Sequence, residues 1–307
     1  MSTTKRQHYV PQSYLSRFAR KERLFAFDKP SRSTYPTNVR DIAAERFFYD
    51  LPELDRLAGM VQSLETFFHG FEQAGSQALA RIISAADNRD AVPIKEGDRI
   101  DLAIYLAVQF LRTKETRTLL VQANELVHKE LFLRHLAKLH PELTKYRDAI
   151  TLTTMPEREI ELHAQVLLDS DFREEIAEAL YLRSWILLQC GAGEVLYTSD
   201  HPVVAHSGLS SNAYGRGGLL SRASEVSIPL NSRYALLLVD PEFYPASAAQ
   251  QETIQTMLTE TVTYQNHLQV RYAYRQVYCE VNDFSLAEEM VNESPALGNP
   301  QFQRVVI

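Results

Sequence analysis

Cysteine is almost missing from this chain: Cys190 and Cys279 are the two in 307 residues. Neither has a second cysteine or a histidine at metal-ligand spacing, which excludes a disulfide framework and a paired-cysteine metal motif. Both lie in apolar, strand-like runs, where a thiol behaves as a small hydrophobe. No apolar run reaches the ~18 residues of a membrane span, and no charged-then-apolar leader is visible, so a cytoplasmic protein is the expectation. A Gly-x-Ser-x-Gly nucleophile elbow is absent. Gly215-Arg216-Gly217-Gly218 does not follow a strand in the P-loop or dinucleotide pattern, and reads instead as a flexible lid in a Gly/Ser-rich loop over 205–224. There is no internal repeat and no low-complexity segment. The net charge of −7 argues against broad affinity for nucleic acid or anionic lipid.

What is present begins at the first residues. Gln7-His8-Tyr9-Val10-Pro11-Gln12 sets polar, titratable side chains beside a proline that can open a helix. Tyr9, Val10, Tyr14, Leu15 and Phe18 would anchor this segment in a core, where most termini fray. Residues 1–40 carry nine Lys or Arg against two acids, Glu22 and Asp28, leaving about −14 for the remainder. Lys5, Arg6, Arg17, Arg20, Lys21 and Arg23 surround the motif with positive charge, either as a solvated basic arm or as an anion site for phosphate or nucleic acid.

With 45% hydrophobic residues the chain can bury a sizeable core. Four parts are legible. Residues 1–54 hold the anchor and a strand near Leu24–Asp28. Residues 55–182 form a helical lobe, residues 183–291 a sheet-forming lobe with one helix, and 292–307 a tail. The helical pattern runs from Leu54 to about Ala85, from Asp98 to His140 (two helices or one long bent one), and from Thr154-Met155-Pro156-Glu157 to about Leu182. Trp185–Cys190 and Val195–Asp200 flank Gly191-Ala192-Gly193-Glu194 as a hairpin, and Val226–Leu230 with Tyr234–Val239 as a second. A helix is expected over about Ala248–Asn266 and a strand over Val270–Glu280. The fold class is α+β: a mainly antiparallel sheet built from the N-terminal strand and C-terminal hairpins, with a large helical insertion.

A second polar address is Thr198-Ser199-Asp200-His201-Pro202-Val203 at a strand end, where Asp200 serves as a metal ligand, an orienting partner or a base, or simply bonds the amides of a turn. His128, His135 and His140 are spaced by seven and five, which makes no i, i+4 metal pair. His163 is expected on a helix surface. His201 and His206 flank a turn and lack further ligands.

Gln7–Gln12 with Tyr14, Leu15 and Phe18 resembles the opening of the domain-of-unknown-function 4238 family, mostly bacterial proteins. Phe25–Lys29, Asn38–Glu45 with Phe48 and Tyr49, Glu65, Gln109–Thr113, Thr198–Val203, Pro229-Leu230 and Asn266 follow in the same order. Members often carry Asn where this chain has His201. The resemblance implies one site shared by separate elements, a polar pocket between the helical lobe and the sheet. In it His8, Gln12, Arg112 and Asp200 would be catalytic, Glu45 and Asp200 would hold Mg or Mn, and Lys5, Arg6, Gln109, Ser199 and Asn266 would contact substrate. Those parts suit a metal-assisted nuclease or phosphodiesterase-type hydrolase, such as a toxin or phage-defence effector. They equally suit a non-catalytic module binding a nucleotide, an anion or a partner. An ADP-ribosyl-type transferase is a weaker third reading.

Overall fold

In the computed structural model, which describes residues 6–59, 62–88, 94–207 and 218–300, the N-terminal motif is nailed down from both ends. Strand β1 (Arg6–His8) leads through Pro11 into helix α1 (Gln12–Leu15) and a 3-10 turn over Ser16–Phe18. All five anchoring side chains are buried, as their apolar character predicts. Tyr14 carries its own tether: its hydroxyl donates to the Pro229 carbonyl at 2.6 Å and lies 2.9 Å from Thr198 Oγ1. The start of the chain is thereby fixed to two elements 184 and 215 residues away. Strands β2 (Arg23–Asp28) and β3 (Ser33–Asn38) form an antiparallel hairpin, and β4 (Ala44–Arg46) returns to pair with β1.

The helical lobe holds α2 (Pro52–Ala58), α3 (Ser63–Ala86), α4 (Glu96–Leu111), α5 (Lys114–Leu139), α6 (Pro156–Leu168) and α7 (Ser170–Tyr181). The first predicted helix is two, parted by the left-handed Gly59 (φ 63°). The stretch from Asp98 to His140 breaks at Thr113, whose hydroxyl accepts the Thr116 amide and caps α5. The single helix expected to Leu182 breaks at Asp169, which caps α7 through the Phe172 amide. Thr154 makes no capping bond to α6 among the described contacts; Met155 occupies the cap position. At Gly75 a Cβ would come within 2.3 Å of the Tyr105 ring, so the missing side chain is what lets α3 and α4 approach.

The remaining strands are β5 (Ser184–Gln189), β6 (Thr198–Ser199), β7 (Val204–His206), β8 (Glu225–Pro229), β9 (Tyr234–Val239), β10 (Ile254–Thr256) and β11 (Gln276–Cys279). Helices α8 (Pro245–Ala248), α9 (Thr259–Tyr272) and α10 (Ser285–Glu293) lie among and after them. One sheet has the order β10-β5-β9-β8-β7 and another β3-β2-β11-β6; every pairing is antiparallel except β10 with β5. The class is α+β. The β8–β9 hairpin forms as predicted. The first one does not: β5 pairs with β9 and β10, while Val195–Asp200 crosses to the other sheet, where β6 pairs with β11. The Gly191–Glu194 turn therefore joins sheets, with the Leu196 amide bonded to the Ser232 carbonyl. The later helix sits further along than expected, at Thr259–Tyr272, which shortens the final strand to four residues. Helix α10, packed through Ala287, Met290 and Val291, adds a further helix to the lobe expected to hold one; it ends two residues into the expected tail, where a 3-10 turn covers Pro295–Gly298. The predicted lid glycines 215–217 lie outside the described residues.

Candidate functional site

Strand alternation sorts the N-terminal residues. In the β1–β4 ribbon Arg6 stands opposite Arg46, Gln7 opposite Glu45, and His8 opposite Ala44. Successive side chains point to opposite faces, so Arg6, His8 and Arg46 share one face and Gln7 and Glu45 take the other. The ribbon is held in a tight path by Ala43 (φ 48°) and Phe47 (φ 55°), two left-handed residues bracketing β4. Each such conformation costs a non-glycine residue ~1 kcal/mol or more. Tyr9 and Val10 repay part of it by donating their amides to the Ala43 carbonyl at 3.0 and 3.4 Å.

The shared face is basic. Arg6 donates to Asp41 Oδ1 at 3.2 Å and to the Asp41 carbonyl at 2.7 Å, and Arg40 Nε lies 3.8 Å from the same carboxylate. Arg46 is exposed and has no ion-pair partner among the described residues. Two guanidiniums thus meet one carboxylate, and the register puts Arg46 opposite the first of them. His8 sits partly buried beside them. Burial lowers its pKa below the ordinary histidine value, the Arg40 backbone carbonyl pulls the other way, and the Arg6 and Arg112 charges depress it further. The ring is therefore neutral at pH 7. Exposed Gln12 approaches Nδ1 through its Nε2 at 3.4 Å, which leaves the lone pair on Nδ1; Nε2 is buried without a hydrogen bond of normal geometry.

On the other face the side chains are structural. The buried Gln7 amide donates to Asp50 Oδ1 and accepts the Tyr49 amide, both at 2.5 Å, which clamps the bend after β4. Arg112, fully buried, donates to Glu72 at 2.5 Å and to the His8 carbonyl at 2.6 Å, and its guanidinium lies 4.3 Å from the Phe68 ring centroid. Burial opposes that charge, but Tyr49 and Glu72 outweigh it and hold the pKa above the usual arginine value. Gln109 donates to the Tyr9 carbonyl at 3.1 Å. Both residues are buried and brace the motif's backbone from beneath.

Asp200 is elsewhere in chemical terms. Fully buried, it accepts the amides of Tyr274, Arg275 and Gln276, each at 2.8 Å, and so builds the turn into β11. Burial pushes its pKa up to about 6, against the pull of those amides and of Lys29. Ser199 Oγ donates to Gln269 at 2.8 Å and accepts the His201 amide at 3.2 Å. Asn266 accepts the Tyr197 amide at 2.7 Å and donates to the Val195 carbonyl at 3.0 Å. Glu45 is paired with Lys114. The expected metal pair of Glu45 and Asp200 therefore does not fit a divalent cation: one carboxylate is held by an ammonium and the other is saturated by amides. Among the described residues no three His, Cys, Asp or Glu side chains are grouped to hold a metal ion.

Of the expected site residues, then, Arg6, His8 and Gln12 come together. Gln109 and Arg112 support them from the far side. Glu45 takes the opposite face, where its charge and that of Asp200 both act on the Tyr9 phenol, while Ser199 and Asn266 bond Gln269 and the backbone of Val195 and Tyr197. Lys5 lies outside the described residues. Arg40, Asp41 and Arg46 were missed. The signal available for Arg46 was its place in a short strand of alternating pattern, which becomes informative only with the register.

The family's sequence profile matches residues 6–282, nearly the whole chain. The chain belongs to DUF4238, a family of proteins of unknown function. No curated protein and no solved structure matches it. Among the described residues of this DUF4238 protein no helix is long and apolar enough to cross a membrane.

Proposed function

We propose that this protein binds a phosphate-bearing ligand, a nucleotide or a nucleic-acid strand, on the basic face of the β1–β4 ribbon. The observation that supports this most is the register that sets Arg6 directly opposite Arg46. Like charges across a strand pair destabilise it, and an anion between them reverses the sign of that term. Arg40 adds a third donor, and Asp41 supplies a carboxylate that holds Arg6 in place. A local basic face on a chain of net charge −7 suits selective rather than blanket attraction. A cytoplasmic setting, where such ligands abound, belongs to the same reading.

Fluorescence polarisation with a labelled twelve-nucleotide RNA or DNA, and competition by ATP, tests it. The variant carrying both Arg6→Glu and Arg46→Glu should bind at least about tenfold more weakly, with a salt dependence shallower by about one to two counterions. Wild-type affinity in that variant would assign binding to another surface.

Hydrolysis of the bound phosphodiester is the second reading, favoured by one specific feature: a neutral His8 on the same face, its Nδ1 covered by a single exposed glutamine at 3.4 Å. His8 would take the proton of the attacking hydroxyl or water as the new P–O bond forms, and return it to the ester oxygen that leaves as the old P–O bond breaks, while Arg6 and Arg46 neutralise the phosphate. Cleavage would suit a toxin or phage-defence effector. The expected result is cutting of the labelled strand in the presence of EDTA, declining as pH falls below about 6.5 and lost in His8→Gln with binding kept. A strand left intact by the wild-type protein removes this reading and leaves the binding one standing.

A further inference from the structure

Helix α2 and helix α6 enclose a cleft of about 500 Å³, within the size range of small-ligand sites. Its apolar lining includes Leu54, Leu57, Ile160 and Leu168, of which Leu57 is 81% exposed and Leu168 41%. Four carboxylates line the same cleft: Asp50, Glu53, Glu157 and Glu161. Among the described residues no lysine or arginine lines it. Glu161 pairs with Arg158, whereas Glu53 and Glu157 have no ion-pair partner among the described residues. Both of these stand in the first turn of their helices.

We propose that this cleft binds a small amphiphilic cation, an ammonium carried on a short aliphatic or aromatic body. The apolar body would cover the exposed leucines, and the ammonium would sit between Glu53 and Glu157. The charge complementarity selects this occupant. An anion would meet four carboxylates and no counter-charge, and a neutral ligand would leave the two unpaired acids unused. The walls are also in place before a ligand arrives. Asp50 is held by the Gln7 amide, and the Tyr49 amide by the other end of the same side chain, which fixes the α2 entrance to β1. This site is separate from the basic face, which takes ligands of the opposite sign.

Calorimetry on the full chain with three matched probes decides it: 4-phenylbutylamine, 4-phenylbutanol and 4-phenylbutyrate. The amine is expected to bind best, the alcohol several-fold more weakly, and the acid least. The double variant Glu53→Gln with Glu157→Gln should weaken the amine about five- to tenfold while leaving the alcohol unchanged, the range two partly exposed ion pairs supply. Added salt should weaken the amine alone. Equal binding of amine and alcohol, binding of the acid as tightly as the amine, or no binding of the amine at millimolar concentration would each overturn the proposal. Because the anion-binding test uses different variants and ligands of opposite charge, the two results are independent.

Discussion

Asp200→Ala is expected to lower the stability of the fold by about 3–5 kcal/mol, read as an earlier midpoint in urea and a melting temperature lower by roughly 10 °C. The reason is the number of groups it would abandon. The carboxylate accepts the amides of Tyr274, Arg275 and Gln276, at a residue with no exposed surface. Alanine leaves those three buried donors without their acceptor. The same joint carries β11, the strand that links β2 to β6. Loosening it frees the N-terminal hairpin from the C-terminal half. Asp200→Asn should cost less, since one oxygen survives. An Asp200→Ala protein with wild-type stability would mean the carboxylate is held for chemistry rather than for the turn.

The second large effect is a dependence of stability on pH carried by His163. This side chain is buried; Arg117 Nε donates to its Nδ1 at 3.0 Å, and its Nε2 donates to the Leu111 carbonyl at 2.7 Å. That pair of bonds holds the neutral tautomer, and a second proton would have to sit against a guanidinium. Burial first, and the Arg117 charge second, lower its pKa to about 3. The unfolded chain therefore binds the proton that the folded chain refuses. His163 contributes stability that is fully present above about pH 6.5 and lost progressively as pH falls toward 3, on the order of 4 kcal/mol across that window. His8 and His267, both lowered chiefly by burial, act in the same direction. Asp200, raised to about 6, acts in the opposite one. The contrast between wild type and His163→Gln isolates the histidine, because glutamine can keep one donor and one acceptor without titrating. Urea unfolding at pH 7.5, 6 and 4.5 should show a stability gap between the two proteins that narrows or reverses as pH falls. A gap constant with pH would remove His163 as the source.

The sequence expected His163 on a helix surface, and the reason for that error is general. On α6 the histidine shares its face with apolar Ile160, Val166 and Leu167, but nothing local names the polar groups that meet its ring. Its partners Arg117 and Leu111 belong to α5 and α4. The hairpin assigned to Gly191–Glu194 failed similarly. Two apolar runs around a glycine turn look alike whether they pair with each other or leave for different sheets, and β5 found better partners in β9 and β10. Helix breaks at Thr113 and Asp169 were half visible, since both are capping residue types, but a periodic apolar face ran through them without interruption.

By itself the sequence determined the α+β class, the buried anchor of Tyr9, Val10, Tyr14, Leu15 and Phe18, the β8–β9 hairpin and membership of the family. Each of these rests on local pattern: apolar periodicity, turn residues, or a motif read in order. Tertiary structure alone decided which polar residues meet. Asp200 and His8 carry the same kinds of groups that catalytic sites use, yet one is consumed by three backbone amides and the other stays a neutral ring under the charges of Arg6 and Arg112. A hydrogen bond to a distant backbone leaves no trace in residue type, and a strand register of one residue sends Glu45 away from His8 while bringing Arg46 opposite Arg6. Local sequence sets what a side chain can do; packing and register set what it has left to do it with.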